Sequence, residues 1–157
     1  MTEMIERQHF LNPFFTLLEE AFETSHSLFL DKNTSLFHTL ETISAQQASI
    51  LVGGKCASLA AQVAHITFFL ELSEHVILYN EAPSSVDWGE IWRTVEKVTP
   101  EEWQALKDNL KQAYTRLSQL LRDNPLWNEN TIGESMSLVV HVAYHLGEIR
   151  QALCVLR

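Results

Sequence analysis

Apolar residues recur at helical spacing over long stretches of this sequence, and the strict alternation that is typical of half-buried strands is hard to find. Residues that interrupt helices are scarce, with 5 glycines and 4 prolines in the chain. The pattern therefore predicts an all-α fold. A chain of 157 residues can bury a core without disulfide bonds, so we expect one domain over residues 1–157.

Start and stop signals divide the helical pattern into segments. Thr99-Pro100 is an N-cap followed by a proline at the first helical position, and the sequence from Thr131 to Glu134 matches a capping box. Short connections between long helices predict antiparallel neighbours in an up-down bundle. The first two predicted segments, Phe14–Phe22 (opened by Asn12-Pro13) and Thr34–Thr42, are either one broken helix or two. The others are about Cys56–Asn80, the helix started by Thr99 and running to Arg122, and the helix from Thr131 nearly to Arg157.

The charge of the chain argues against nucleic-acid binding. Its 11 basic and 20 acidic side chains give a formal net charge of -9, which repels a phosphate backbone on average. The N-terminus shows no signal-peptide pattern, and the longest apolar helices are interrupted by Glu71, Glu74, His141 and His145. We expect a soluble protein with no nucleic-acid partner and no membrane partner.

Two cysteines, Cys56 and Cys154, are too few for a disulfide framework and form no CxxC motif. We expect buried thiols in a reducing compartment, and hence a cytoplasmic protein. Cys56 lies near a predicted helix start, where a thiolate would be stabilised, but inert packing is the favoured interpretation.

The last helix carries a histidine-rich stripe. His141 and His145 are four residues apart and therefore stack on one helix face, a spacing that can chelate one ion. Glu134 and Glu148 fall within the same stripe, whereas Gln151 lies off to one side and is interpreted as surface or packing. The rest of the circumference is so apolar that the stripe is expected to face the protein interior.

A similar polar line crosses the long central helix, where Ser58, Gln62 and His65 share a face. Burying polar groups without partners costs a few kcal/mol each, so three imidazoles in an interior need hydrogen bonds or a metal. Three neutral imidazoles leave coordination positions open, as in catalytic sites. We predict that His65, His141 and His145 bind one divalent transition metal: zinc, nickel, iron or manganese.

Simpler interpretations stand beside this prediction. A helical HxxxH is commonly two satisfied or solvent-facing histidines, and Glu148 either pairs within its own helix or orients an imidazole. The four tryptophans are interpreted as core or dimer packing rather than a substrate cage. The remaining histidines are interpreted as surface groups or local hydrogen-bonding groups: His9, His26, His38 and His75.

Other catalytic motifs fit poorly. The zinc-protease pattern HExxH requires a glutamate where this chain has Val142. The two Glu-x-x-His patterns, at Glu6 and Glu23, flank the first helix rather than two core helices, which disfavours a di-iron site. No Gly-x-Ser-x-Gly elbow or recognisable catalytic cysteine motif is present.

Three motifs in order resemble the DinB/YfiT-like metal-dependent enzymes: Ala-Ala-Gln-Val-Ala-His-Ile, Val-Asp-Trp-Gly-Glu-Ile-Trp, and a terminal His-Val-Ala-Tyr-His-Leu-Gly-Glu-Ile-Arg-Gln. The resemblance covers roughly Leu17 to the C-terminus. It implies a four-helix bundle, a metal triad at His65, His141 and His145, and a homodimer. It also implies a metal-activated thiol or water, as in relatives that are thiol transferases, a thiol-dependent isomerase or hydrolase-like proteins.

Three functional hypotheses follow. The leading one is a metal-dependent transferase or hydrolase that acts on a small-molecule substrate, preferably with a low-molecular-weight thiol. In this hypothesis Glu148 orients a ligand and Tyr144 lines the pocket. The second is a metal-binding or ligand-binding bundle without turnover, since no clear general base accompanies the ligands. The third is a structural protein whose histidines satisfy each other with the help of buried water.

Overall fold

A computed structural model describes residues 5–156, and within this range the chain is all-α, without a strand. The all-α prediction is therefore confirmed. The contacts divide the chain into two compact units, Met1–Glu41 and Thr42–Arg157, and each unit is described by itself. The helices of the described range are α1 Arg7–Phe22, α2 Leu36–Glu41, α3 Ala45–Ala48, α4 Leu59–Tyr79, α5 Glu90–Thr94, α6 Pro100–Asp123 and α7 Glu129–Val155, with a single 3-10 turn at Val52–Gly54.

The first unit begins with a helix that is longer than its sequence signals indicate. Asn12-Pro13 was expected to open α1, but Pro13 lies inside the helix, which starts at Arg7. Phe10 stacks on Phe14 one turn later, with ring centroids 5.9 Å apart, and Leu11 is buried. This packing compensates for the backbone hydrogen bond that a proline removes.

A buried carboxylate organises the connection from α1 to α2. The Glu20 side chain is fully buried and accepts hydrogen bonds from the backbone N–H groups of Leu28, Phe29 and Leu30 at 2.8–3.2 Å. Burial alone would raise the pKa of this carboxyl, but the three donors outweigh it and hold the pKa below its ordinary value of 4.5. The segment 28–30 is thereby anchored although it contains no regular secondary structure.

The second unit is built around α4, which packs against both α6 and α7. Side-chain contacts give the relative direction of α4 and α7: Gln62 bonds to Glu148, whereas Ser73, further along α4, bonds to Glu134, earlier on α7. The two helices are therefore antiparallel. Their facing residues are buried, and the core of this unit includes Leu59, Val63, Ile66, Leu70, Leu110, Leu117, Leu138, Val142, Leu146 and Ile149.

The helix ends agree with the sequence signals in part. Thr99 and Glu102 form the expected capping box of α6. At α7, however, the N-cap is Asn128, whose side chain accepts from the backbone N–H of Thr131 at 2.9 Å, so the proposed Thr131 cap was wrong. A carboxamide one turn earlier supplies the acceptor. The sequence prediction also missed α3, capped by Ser44, and α5, which lies in the expected tryptophan loop.

Neither cysteine is buried. Cys56 precedes α4 and Cys154 lies on the solvent side of the last turn of α7, and both are free, exposed thiols. The expectation of buried thiols was therefore wrong.

Within residues 5–156, no individual helix has the length and apolar character needed to cross a membrane. By length and composition alone, the bent pair Ala45–Gly54 and Leu59–Tyr79 passes the same test when its two helices are taken together.

Replacing Glu20 by alanine should destabilise the protein, because three backbone N–H groups lose their acceptor. We expect the free energy of unfolding at pH 7 to fall by about 1–3 kcal/mol, measured by urea denaturation. A carboxyl whose pKa is lower in the folded than in the unfolded chain stabilises the fold at pH values above its ordinary pKa. This stabilisation is lost as the pH falls through the pKa of the folded state. The difference between wild type and variant should therefore shrink in acid. Glu41→Ala, at an exposed position, is the control, and equal losses in the two variants would contradict this role of Glu20.

Candidate metal centre

The three predicted histidines come together between α4 and α7. His65 projects from α4, and His141 and His145 project from successive turns of α7. One ring nitrogen from each lies within 4.8 Å of the other two. Nitrogen ligands of one tetrahedral zinc ion are about 3.4 Å apart, so side-chain shifts of about 1 Å would bring all three onto one ion. His65 and His145 are buried, and His141 is half-buried.

His145 is held in one orientation by the hydrogen bonds of its Nδ1 atom. Its Nδ1 lies 2.6 Å from Gln62 Oε1 and 2.9 Å from Glu148 Oε2. Because both partners are acceptors, Nδ1 carries the proton and the lone pair resides on Nε2. Gln62 in turn donates its Nε2 to Glu148 Oε2 at 3.1 Å. This is the arrangement by which proteins fix the tautomer of a metal-binding imidazole and raise its basicity.

All three imidazoles are neutral at neutral pH. Burial, helped by the neighbouring histidines and opposed by the Glu148 carboxylate, lowers the pKa of His65 and of His141 to about 4. Burial also lowers the pKa of His145, although the Glu148 carboxylate opposes this effect. Neutral imidazoles have lone pairs available for a cation, so the site does not need to lose protons before it binds one.

Two ring nitrogens at the centre have no hydrogen-bond partner within residues 5–156. His65 Nδ1 and His141 Nε2 are both fully buried, and neither is satisfied by another imidazole. A buried polar atom without a partner costs about 1–3 kcal/mol, which coordination of a cation would relieve. These unsatisfied atoms fit a metal.

Aromatic rings enclose the imidazoles. Phe69 of α4 stacks on His141 with ring centroids 3.8 Å apart, and Trp92 of α5 lies 4.5 Å from His65 and 6.3 Å from His145. Low polarity around a site limits the access of water and strengthens electrostatic interactions within it. The tryptophan was interpreted from sequence as core or dimer packing, but the structure places Trp92 beside two candidate ligands.

Trp92 belongs to a loosely held segment, residues 81–98, which we call the tryptophan strap. None of its residues is fully buried. Asp87 pairs with Arg93 across the start of α5, and Asp87 Oδ1 also accepts the backbone N–H of Gly89. Val98 donates its backbone N–H to Ser49 Oγ at the end of the strap. Few buried contacts and exposed backbone bonds are typical of segments that open locally.

Other residues singled out in the sequence have mixed outcomes. Glu134 lies on the predicted stripe but bonds to Ser73 at 2.6 Å, away from the imidazole nitrogens. Tyr144 is exposed, with its ring 5.0 Å from His145, and hydrogen-bonds to Glu148. Glu148 contacts His145, three residues earlier on the same helix, so the contact fits both of its interpretations. Gln151 is on the surface, as expected.

The remaining histidines lie outside the cluster. His9 and His26 are near the carboxylates of Glu6 and Glu19, His75 contacts Tyr79, and His38 is exposed. Sequence analysis gave Gln62 no role of its own, although its position on the His65 face was noted. Its position three residues before His65 on the same helix face could have indicated this role, because a carboxamide there can contact side chains of a second helix.

Comparison of the chain with protein-family models, with curated proteins and with solved structures gave no match. The resemblance to DinB/YfiT-like enzymes therefore rests on the three sequence motifs alone.

Glu148→Gln should weaken metal binding without unfolding the protein. The glutamine retains an acceptor for His145 but removes the charge that supports the imidazole. Loss of such a supporting partner typically costs about 10–100-fold in metal affinity, which competition with a chromogenic chelator would measure. Glu134→Gln is a matched control on the same face of α7 and should keep the wild-type affinity. Equal affinities for the two variants would contradict the role assigned to Glu148.

Gly89→Ala should loosen the tryptophan strap. A Cβ atom at this position would collide with Arg93 Nη1, so the end of the arginine side chain must shift and its pair with Asp87 is disturbed. We expect metal to be released to excess chelator several-fold faster than from wild type, because Trp92 covers His65 less of the time. Gly133→Ala, where a Cβ meets nothing within 4 Å, is the control. Identical release rates would show that the strap does not limit access.

Proposed function

We propose that this chain is a metal-dependent enzyme of the DinB/YfiT-like four-helix-bundle type, with a divalent transition-metal ion held by His65, His141 and His145. The observation that carries the proposal is the convergence of three neutral imidazoles, two buried and one half-buried, each with a ring nitrogen within 4.8 Å of the others. When bound, such an ion acts as a Lewis acid that lowers the pKa of a thiol or water.

The surrounding residues have distinct tasks in this proposal. Glu148 and Gln62 accept hydrogen bonds from the Nδ1–H group of His145 and so keep Nε2 available as a ligand atom. Burial works to raise the pKa of Glu148, yet hydrogen bonds from Tyr144, Gln62 and His145 hold it below its usual range, so the carboxylate stays ionised. Phe69 and Trp92 limit water around the imidazoles. The substrate enters past the tryptophan strap.

Transfer to or from a low-molecular-weight thiol is the reaction that we favour, on the resemblance described above. The aromatic rings of Phe69 and Trp92 beside the imidazoles suit an apolar electrophile as the second substrate. The free thiols of Cys56 and Cys154 suit a reducing compartment, and we accordingly propose a cytoplasmic location.

We also propose that the protein is a homodimer. Met136, Val140 and Tyr144 lie four residues apart on α7 and are 57%, 69% and 62% exposed. Apolar residues at this spacing form one continuous helix face, which a second copy could cover.

A non-catalytic metal-binding or small-ligand-binding protein is the alternative, and one observation favours it. The carboxylate nearest the histidines, Glu148, already receives hydrogen bonds from Gln62 and His145. It is therefore poorly placed to remove a proton from a substrate. The two functions are separated by thiol activation: an enzyme loaded with cobalt should show a sulfur-to-metal absorption band on addition of thiol and should accelerate its reaction with an electrophile. A protein that only binds metal should not accelerate it.

The decisive experiment is elemental analysis of protein purified without an affinity tag. We expect about one equivalent of a transition metal in wild type and its loss in His65→Ala and in His141→Ala. His38→Ala, at an exposed position on α2, should retain the metal. Circular dichroism would verify that each variant is folded. A wild-type protein that takes up no zinc, nickel, iron or manganese after reconstitution would overturn the proposal.

A further inference from the structure

A recess of about 430 Å³ lies in the second unit, beside the ends of α4 and α7 and next to the 3-10 turn. Its size is within the range of small-molecule sites, roughly 300–1,000 Å³. Gln62 and Glu148, which hold His145, also line it. Most of the remaining lining is apolar or without a side chain: Val52, Ala57, Leu59, Gly147, Ala152 and Val155.

The charge of the lining selects its ligand. Glu148 supplies a carboxylate, and the described residues that line the recess include neither lysine nor arginine. A carboxylate or phosphate ligand would therefore meet a negative charge with no compensating cation, whereas an ammonium group would find a partner. The apolar walls can cover a short hydrocarbon chain attached to that group.

We propose that this recess is a binding site for a small primary amine with an apolar body. The ammonium group lies against Glu148 and the Gln62 carboxamide, and the hydrocarbon part lies along α7 toward Val155. The three histidines are not needed for this binding, so the site exists whether or not a metal is bound nearby.

Cys56 makes the site measurable, because its exposed thiol lines the recess. In a Cys154→Ser background, Cys56 is the only thiol of the chain. The experiment follows the rate of Cys56 alkylation by iodoacetamide in protein stripped of metal with a chelator, so that an amine cannot act by coordination. Hexylamine should slow the alkylation at least about tenfold at saturation, and hexanoate of equal concentration should leave the rate unchanged.

Two variants test the geometry and the charge separately. A side chain added at Gly147 meets nothing within 4 Å of its Cβ and lines the recess, so Gly147→Leu should fill it and abolish protection by hexylamine. Gly133→Leu is the matched control on the same helix, also without a contact within 4 Å, and should retain protection. Glu148→Gln should reduce the preference for hexylamine over hexanol.

Equal protection by hexylamine and hexanoate, or protection that survives Gly147→Leu, would overturn the proposal. Because the protein is free of metal, a failure here is distinct from a failure of the three-histidine site, which elemental analysis tests.

Discussion

The hydrogen bond from His145 Nδ1 to Gln62 and Glu148 is the interaction on which the rest of the candidate site depends. It joins α4 to α7 within the interior and fixes which nitrogen of His145 carries the proton. A buried imidazole without this support could rotate or change tautomer, and its lone pair would then have no fixed direction. With this hydrogen bond, the candidate ligand atoms on the two antiparallel helices have defined positions.

Helix periodicity predicted much of this arrangement. The spacing of His141 and His145 placed both on one face of α7, and the apolar remainder of that helix indicated that the face is buried, because periodicity and burial are properties that one helix encodes by itself. His65 could be joined to them only through its own polar stripe and the family resemblance. That α4 and α7 run antiparallel with His65 opposite His141 is a tertiary fact, which no local pattern contains.

The features that sequence reasoning missed depend on contacts between distant residues. Pro13 normally ends or opens a helix, but packing of Phe10 on Phe14 outweighs its local cost. In the sequence, Glu20 resembles an ordinary acidic surface residue. Only the fold brings the three backbone N–H donors of residues 28–30 to its carboxylate. Trp92 lies in a segment without strong periodicity, and its contact with His65 arises from how that segment crosses α4.

The tryptophan strap and the imidazole cluster combine opposite physical properties. The ligand positions are rigid because they project from helices whose cores are buried. The strap is attached by the ring contacts of Trp92 with His65 and of Trp88 with Phe68, and by the hydrogen bonds of Val95 and Val98 with Ser58 and Ser49. Catalytic constellations benefit from rigid elements, and entry of a substrate requires an element that opens at low cost. The ring contacts of Trp92 with His65 and His145 can be exchanged for contact with an apolar substrate of similar area, so the opening need not disturb the helices that hold the histidines.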